Sequence, residues 1–321
     1  MTIKNKTKRK ICVIGGGYWG KNHINTLYKM GHLGAVVDVD PDISNKFSHI
    51  KNINFYNNIE ESFEADYDGY IVATPAETHA NILDLLLDNR KPTLVEKPLT
   101  TDLFSSERLL KKSIECETPV MVGHILLFHK AFLKLKQLLD SNIIGDLKYV
   151  YSNRLNFGKV RQFEDVFWSF APHDISLMFF LIDSYPKDIK VVGSKICSSD
   201  LHDSVHCHLI YDNISAHIYV NWAHPFKEHK FVIMGTKGSL VYDDTEKKIY
   251  HYDKYFEIND SIEQHDGAAT EIKFESSMPL SDELDYFISN LHQKTFDKSS
   301  ISHGVDVIKI LDKVEKEIKN D

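Results

Sequence analysis

With 321 residues the chain is about twice the usual size of one domain, which predicts two domains, each able to bury a core. It is 42% hydrophobic and 26% charged with a formal net charge of -8, and its lysines are spread along the chain instead of gathered on one face, which argues against a nucleic-acid partner. No apolar run approaches the roughly 20 residues that span a bilayer, residues 1–10 are basic without a following apolar segment or cleavage site, and Cys12, Cys116, Cys197 and Cys207 lack C-x-x-C spacing, so a cytoplasmic protein with free thiols and no metal site is expected.

The run Ile11-Cys12-Val13-Ile14 reads as a strand, Gly15-Gly16-Gly17 as a tight turn, and the segment from Tyr18 as a helix. If Gly15, Gly17 and Gly20 are the glycines of G-x-G-x-x-G, the first permits the turn and the second lets the backbone approach a pyrophosphate. The third lets the helix pack on the strand. The helix start would hold the anion on its N–H groups and dipole, with Tyr18 and Trp19 beside it and no basic side chain required. A second apolar run, Ala35-Val36-Val37, ends in Asp38, 18 residues beyond Gly20, a position from which a carboxylate reaches the adenosine ribose hydroxyls and repels a 2′-phosphate. Val39, Asp40 and Pro41 bring no cation, so NAD is expected over NADP.

Short strands are expected at 52–56, 69–73 and 93–95, alternating with helices at 77–89 and 103–115, and 119–124 closes the series. Such alternation predicts a doubly wound parallel sheet, a Rossmann arrangement, whose ligands lie beyond the carboxyl ends of the strands. There the chain carries Thr74-Pro75-Ala76-Glu77-Thr78-His79 and Glu96-Lys97-Pro98. A proline after the lysine can set a cis bond that fixes the lysine towards the cleft, although by residue type alone Lys97 would be a solvated lysine at a strand end. A helix follows at 125–141, with His124 and His129 read as structural histidines. The division is placed between a dinucleotide-binding domain, 1–123, and a substrate-binding and oligomerisation domain, 124–321.

From Gly145 the period becomes two, and runs near 147–161, 190–197, 204–211, 215–222, 229–234 and 239–242 predict an antiparallel meander of five or six strands. Residues 250–277 are polar and weakly patterned and read as loop. Helices are expected at 281–293, with Ser281 as N-cap, and at 303–319. Another begins near Phe167-Trp168-Ser169-Phe170-Ala171-Pro172-His173-Asp174, with His173 in its first turn, where the ring could project into a cleft or simply cap the helix.

Gly15 to His23, Ala-Thr-Pro with His79 four residues after Pro75, and Glu-Lys-Pro at 96–98 together resemble the glucose-fructose oxidoreductase / inositol dehydrogenase (Gfo/Idh/MocA) family. The resemblance implies an α/β fold: an N-terminal Rossmann sheet plus a C-terminal α+β domain with an open, mostly antiparallel sheet used for substrate and for homodimer or homotetramer contacts. It implies NAD held by Gly15, Gly17, Tyr18, Trp19, Gly20, Asp38, Thr74, Pro75, His79, Glu96 and Lys97. It also implies a catalytic Lys97, commonly followed by a cis proline, and a proton-accepting His173 in a D-x-x-x-H-x-x-D/S motif whose first acid is here Ser169. Asp174 is the nearest alternative carboxylate for that histidine.

The stretch 153–161, with Trp168-Ser169 and Ala171 to Asp174 after it, is most similar to the branch of this family that oxidises nucleotide sugars at C3 of an N-acetylhexosamine. A diphosphate needs cations and amide donors, which Arg154, Asn156, Lys159 and Arg161 would supply, with Asp174 beside them; the alternative is that two or three of the four are ordinary solvated side chains. The expected function is NAD-dependent oxidation of a sugar secondary hydroxyl, with UDP-N-acetylglucosamine or its uronic acid as substrate. The alternatives are a keto-sugar reductase, an inositol or free-sugar dehydrogenase, and a dinucleotide-binding regulator without chemistry.

Overall fold

A computed structural model describes residues 9–197, 200–276 and 278–319; most of the basic N-terminal tail and Ser277 lie outside them. The described residues form two compact units, one within 1–125 and 278–308, the other within 126–277 and 309–321. The single boundary expected at 123/124 is therefore joined by two further crossings. The reason is that the C-terminal helices return apolar stripes to the first core, with Leu284, Phe287, Val305 and Ile308 all buried.

The first unit runs β1 (Ile11–Ile14), α1 (Tyr18–Met30), β2 (Leu33–Val37), α2 (Ile43–Lys46), β3 (Asn54–Tyr56), β4 (Gly69–Val72), α3 (Ala76–Asp88), β5 (Thr93–Glu96), α4 (Leu103–Glu115) and β6 (Val120–Gly123). Its six strands are all parallel in the order β3-β2-β1-β4-β5-β6. Every residue of β1, β2, β4 and β6 is buried, which is why these strands read as continuous apolar runs instead of alternating ones. Strand order reverses between β1 and β4, and Ile14 pairs with both Val37 and Val72. Gly15, Asp38 and Ala73 thus leave the sheet at one level, at the switch point where a doubly wound sheet takes its ligand.

In the second unit come α5 (Lys130–Asp140), β7 (Leu147–Phe157), α6 (Val166–Ile182), β8 (Asp188–Ser194), β9 (Ser204–Ile210), β10 (Ser215–Asn221), β11 (Ala223–Gly235), β12 (Gly238–Asp243), β13 (Lys248–Ile258) and β14 (Ile262–Ile272). Then α7 (Pro279–Ser289) and the start of α8 (Ile301–Ile318) belong to the first unit. The second sheet has eight strands in the order β14-β13-β12-β11-β7-β10-β9-β8. It is mostly antiparallel, as expected, but β10 runs parallel to β7, so it is not a simple meander of five or six strands. Period-two alternation reports a half-buried strand and says nothing about the direction of its partner. In β10 the alternate residues Ala216, Ile218 and Val220 are buried, and α6 packs on this strand and on β9 and β7.

Three local expectations are corrected. The segment expected as loop at 250–277 forms most of the β13–β14 hairpin, in which most of β14 is exposed and none of it buried, so no apolar alternation marks it. The helix expected over 125–141 is interrupted at His129, whose ring accepts the Ala131 N–H as the N-cap of α5. Pro279 opens α7 with Met278 as N-cap, so Ser281 lies within the helix and does not cap it.

Candidate active site

Two of the three motif glycines are required sterically, and the third borders open space. Gly15 has φ +96°, and a Cβ there would stand 2.7 Å from the Ala73 carbonyl oxygen. A Cβ at Gly20 would lie 1.9 Å from the Gly15 carbonyl oxygen, so only glycine lets α1 settle onto the turn. At Gly17 nothing lies within 4 Å, and no side chain caps α1. The start of α1 thus has no side-chain cap and borders open space at Gly17, which fits a pyrophosphate on its first-turn N–H groups. This is the observation on the molecule itself that fits a dinucleotide.

A cavity of about 800 Å³ opens here within the first unit. Its wall contains Gly15, Gly17, Tyr18, Trp19, Asp38, Thr74, Pro75, His79, Glu96 and Lys97, so every expected cofactor residue except Gly20 borders it; Gly20 acts behind it, through packing. Asp38 accepts the Gly16 N–H at 2.6 Å and the Asp40 N–H at 2.9 Å. Asn57 holds the same corner by donating to the carbonyl oxygens of Asp38 and Asp40, each at 3.1 Å. Val39, Asn58, Ile59 and Ile82 are also among its lining residues.

The turns after β4 and β5 are tied together by His79. Its ring is buried, with Nδ1 at 2.8 Å from the Pro98 carbonyl oxygen and Nε2 at 3.0 Å from that of Thr74. It acts on the pocket by bracing the two turns. The Lys97–Pro98 peptide is cis, as expected. Glu96 accepts a hydrogen bond from Nε2 of His23 at 2.7 Å and the Lys97 N–H at 3.2 Å. His23 has no exposed surface and was overlooked as a site residue, although it shares the buried stripe of α1 with Gly20, Ile24 and Leu27.

In the second unit α6 starts earlier than expected. Asp165 caps it by accepting the N–H groups of Phe167 and Trp168, both at 2.9 Å, so His173 lies mid-helix just after Pro172 and not in the first turn. Asp174 is fully buried and accepts from Ser152 Oγ at 2.6 Å and from Arg154 Nε and Nη2 at 2.9 and 3.0 Å. This corrects two expectations. Asp174 has no exposed atom for a substrate and commits its carboxylate to Ser152 and Arg154 instead of to His173, since consecutive residues on a helix diverge by about 100°. Arg154 is correspondingly held in a two-point ion pair, with 19% of its side chain still exposed. Asn156 is half-buried near the end of β7, while Lys159 and Arg161 are exposed in the loop leading to α6, Arg161 at 3.7 Å from Glu164. Among the described residues no group of three or more His, Cys, Asp or Glu could hold a metal, and no helix is long and apolar enough to cross a membrane.

Comparison with known proteins agrees with this architecture. Residues 9–124 match the oxidoreductase family with an NAD-binding Rossmann fold, and residues 132–241 match the GFO/IDH/MocA C-terminal domain. The chain belongs to the GFO/IDH/MocA oxidoreductase family. Among relatives of this family, inositol 2-dehydrogenase 2 of Mycolicibacterium vanbaalenii is 26% identical over 191 residues, covering 57% of this chain and 56% of that protein. UDP-N-acetylglucosamine 3-dehydrogenase of Acidithiobacillus ferrooxidans is 25% identical over 182 residues, covering 56% of each chain. This chain thus aligns with a little over half the length of either relative. The solved structure of the Acidithiobacillus enzyme shares the fold at a TM-score of 0.84, with 19% identity and 97% of each chain covered. The WlbA dehydrogenase of Bordetella pertussis, solved with NADH and UDP-GlcNAcA, shares it at 0.78, with 16% identity over 98% of this chain and 97% of that one.

Proposed function

We propose that this GFO/IDH/MocA protein is an NAD-dependent dehydrogenase that oxidises a secondary hydroxyl of a sugar, C3 of a UDP-N-acetylhexosamine before others. The observation that carries the redox part is the open cradle at Gly17 and the uncapped start of α1, ending at Lys97 in the same cavity. The diphosphate would sit on the first-turn N–H groups of α1 and the adenosine ribose on Asp38. Bound there, NAD supplies the hydride acceptor. The chain's own contribution is to orient the alcohol and handle its proton. In this reading the Lys97 ammonium holds the substrate oxygen and stabilises the negative charge that develops on it, and the imidazole of His173 takes the hydroxyl proton. The His79 brace ties the Lys97 turn to the turn after β4.

The nucleotide-sugar assignment is supported by the exposed cations Lys159 and Arg161 on one loop, and by the names of two relatives that act on or bind such sugars. A polyol substrate is the second reading, favoured by the inositol dehydrogenase relative. The test is a thermal-shift series with NAD present. A ligand that binds only the folded protein raises its midpoint, so UDP-N-acetylglucosamine or its uronic acid should raise it and myo-inositol should not. The reverse order would transfer the assignment to the polyol.

A further inference from the structure

The second sheet carries α6 on one face, over buried residues such as Cys207, Leu209, Ala216 and Ile218. Its other face is made by the alternate positions: the odd-numbered residues of β7 and β10 and the even-numbered residues of β9. These include no Asp, Glu, Lys or Arg, whereas a sheet face left to water ordinarily turns polar and charged side chains outward. Six rings instead run in unbroken contact across the three strands. Tyr219 stacks on His206 at 3.8 Å between ring centres, His206 meets His217 at 5.5 Å and His217 meets His208 at 6.1 Å. Tyr149 then joins His208 to Tyr151, at 6.2 and 6.3 Å. Register accounts for the cluster, since His208 lies opposite His217 and His206, two residues away, lies opposite Tyr219. Beside Tyr151 the face continues into a cleft of about 760 Å³ walled by Val232 and Met234 of β11, Val241 of β12 and Phe256 of the β13–β14 hairpin.

We propose that this face binds a second copy of the chain and that its three histidines release that copy in acid. The area suffices: eight strands about 4.8 Å apart, taken at the seven residues of β8, β9 and β10, present about 900 Å², against about 800 Å² per partner in a stable interface. The chemistry selects the occupant. A second copy brings the same uncharged rings, as a two-fold contact requires, while an acidic or basic partner would meet no counter-charge on these strands. Protonation removes that neutrality. His206 Nδ1 stands 3.4 Å from His217 Nε2, and no carboxylate lies in register beside any of the three histidines. Across from them β8 offers Val192 and Lys190, the latter engaged by Asp188 at 3.1 Å, and β10 and β7 offer Tyr219 and Tyr151. Burial already holds His206 below the ordinary histidine range, and burial with the neighbouring His206 and His208 does the same for His217. Association buries the rings further, so they titrate lower in the pair than in the single chain. The pair is therefore complete above the single-chain value and is lost as pH falls towards the value in the pair.

Sedimentation velocity over a concentration series, at about pH 7.5 and about pH 5.5, gives the dissociation constant of the pair. Far-UV circular dichroism on the same samples restricts the comparison to folded protein. A triple variant, His206→Gln with His208→Gln and His217→Gln, keeps polar side chains that cannot ionise. The wild-type constant should rise by about tenfold or more between the two pH values, and that of the variant should stay flat. A wild type that remains monomeric at about pH 7.5 up to about 100 µM overturns the proposal, and so does a variant with the wild-type pH slope. If the variant does not fold or does not pair, the C2–H proton resonances of the three histidines in the wild type decide. Lower titration midpoints in concentrated than in dilute protein support the proposal, and midpoints independent of concentration overturn it. Neither measurement uses NAD or a sugar, so an error in the proposed activity leaves the test intact.

Discussion

The Asp38 carboxylate accepts the Gly16 N–H at 2.6 Å, fastening the end of β2 to the glycine turn that follows β1. With the Asp40 N–H on its other oxygen, this carboxylate is aimed by the backbone before any ribose arrives. NAD should therefore bind more tightly than NADP at moderate salt, since the corner is already anionic. Asp38→Ala should weaken NAD by about 1.5–3 kcal/mol, the worth of hydrogen bonds to a charged group, and narrow the preference over NADP. Fluorescence titration with both cofactors checks this, and an unchanged Kd for NAD would contradict it.

Arg154 and Asp174 offer a stability test that is independent of catalysis. Removing the guanidinium strands a carboxylate that has no exposed surface, with only Ser152 left to it. Arg154→Met should cost about 3–5 kcal/mol, because breaking a buried pair leaves an uncompensated charge. Urea unfolding gives the number. A loss below about 1 kcal/mol would mean the pair is far more hydrated than its burial indicates.

Lys97→Met should bind NAD nearly as the wild type does, since the pyrophosphate cradle is made of backbone. Turnover should fall by about a hundredfold or more, the usual range for a lost acid-base group. Ordinary turnover in this variant would remove Lys97 from the chemistry.

Acid should destabilise the first unit through its buried histidines. Burial lowers His303 to about 4 against an opposing pull from Asp306, and lowers His124 well below the ordinary range, their rings 5.3 Å apart. A histidine whose folded value lies below its unfolded one contributes full stability above about pH 6.5 and loses it as pH falls towards the folded value. For His303 the loss amounts to about 3 kcal/mol by the bottom of that window. Denaturant midpoints between about pH 7 and about pH 4 should fall less in His303→Gln than in the wild type; equal slopes would contradict the assignment.

What could be read in advance followed burial. The parallel strands, buried on both faces, announce themselves as apolar runs, and Gly15 and Gly20 each answer a steric demand that no other residue meets. The β13–β14 hairpin escaped notice because its residues are largely exposed and carry no apolar period. Asp174 was misread because adjacency to His173 in sequence is not adjacency on a helix.

The measurement that bears most directly on the proposed activity is the initial rate of NADH formation, followed by absorbance, with UDP-N-acetylglucosamine, its uronic acid, a dTDP-sugar and myo-inositol in parallel, repeated with Arg161→Ala. A UDP-N-acetylhexosamine should be oxidised fastest, and Arg161→Ala should raise its Michaelis constant. Turnover of myo-inositol with every nucleotide sugar inert, or an Arg161→Ala enzyme with an unchanged Michaelis constant for the nucleotide sugar, would contradict the account.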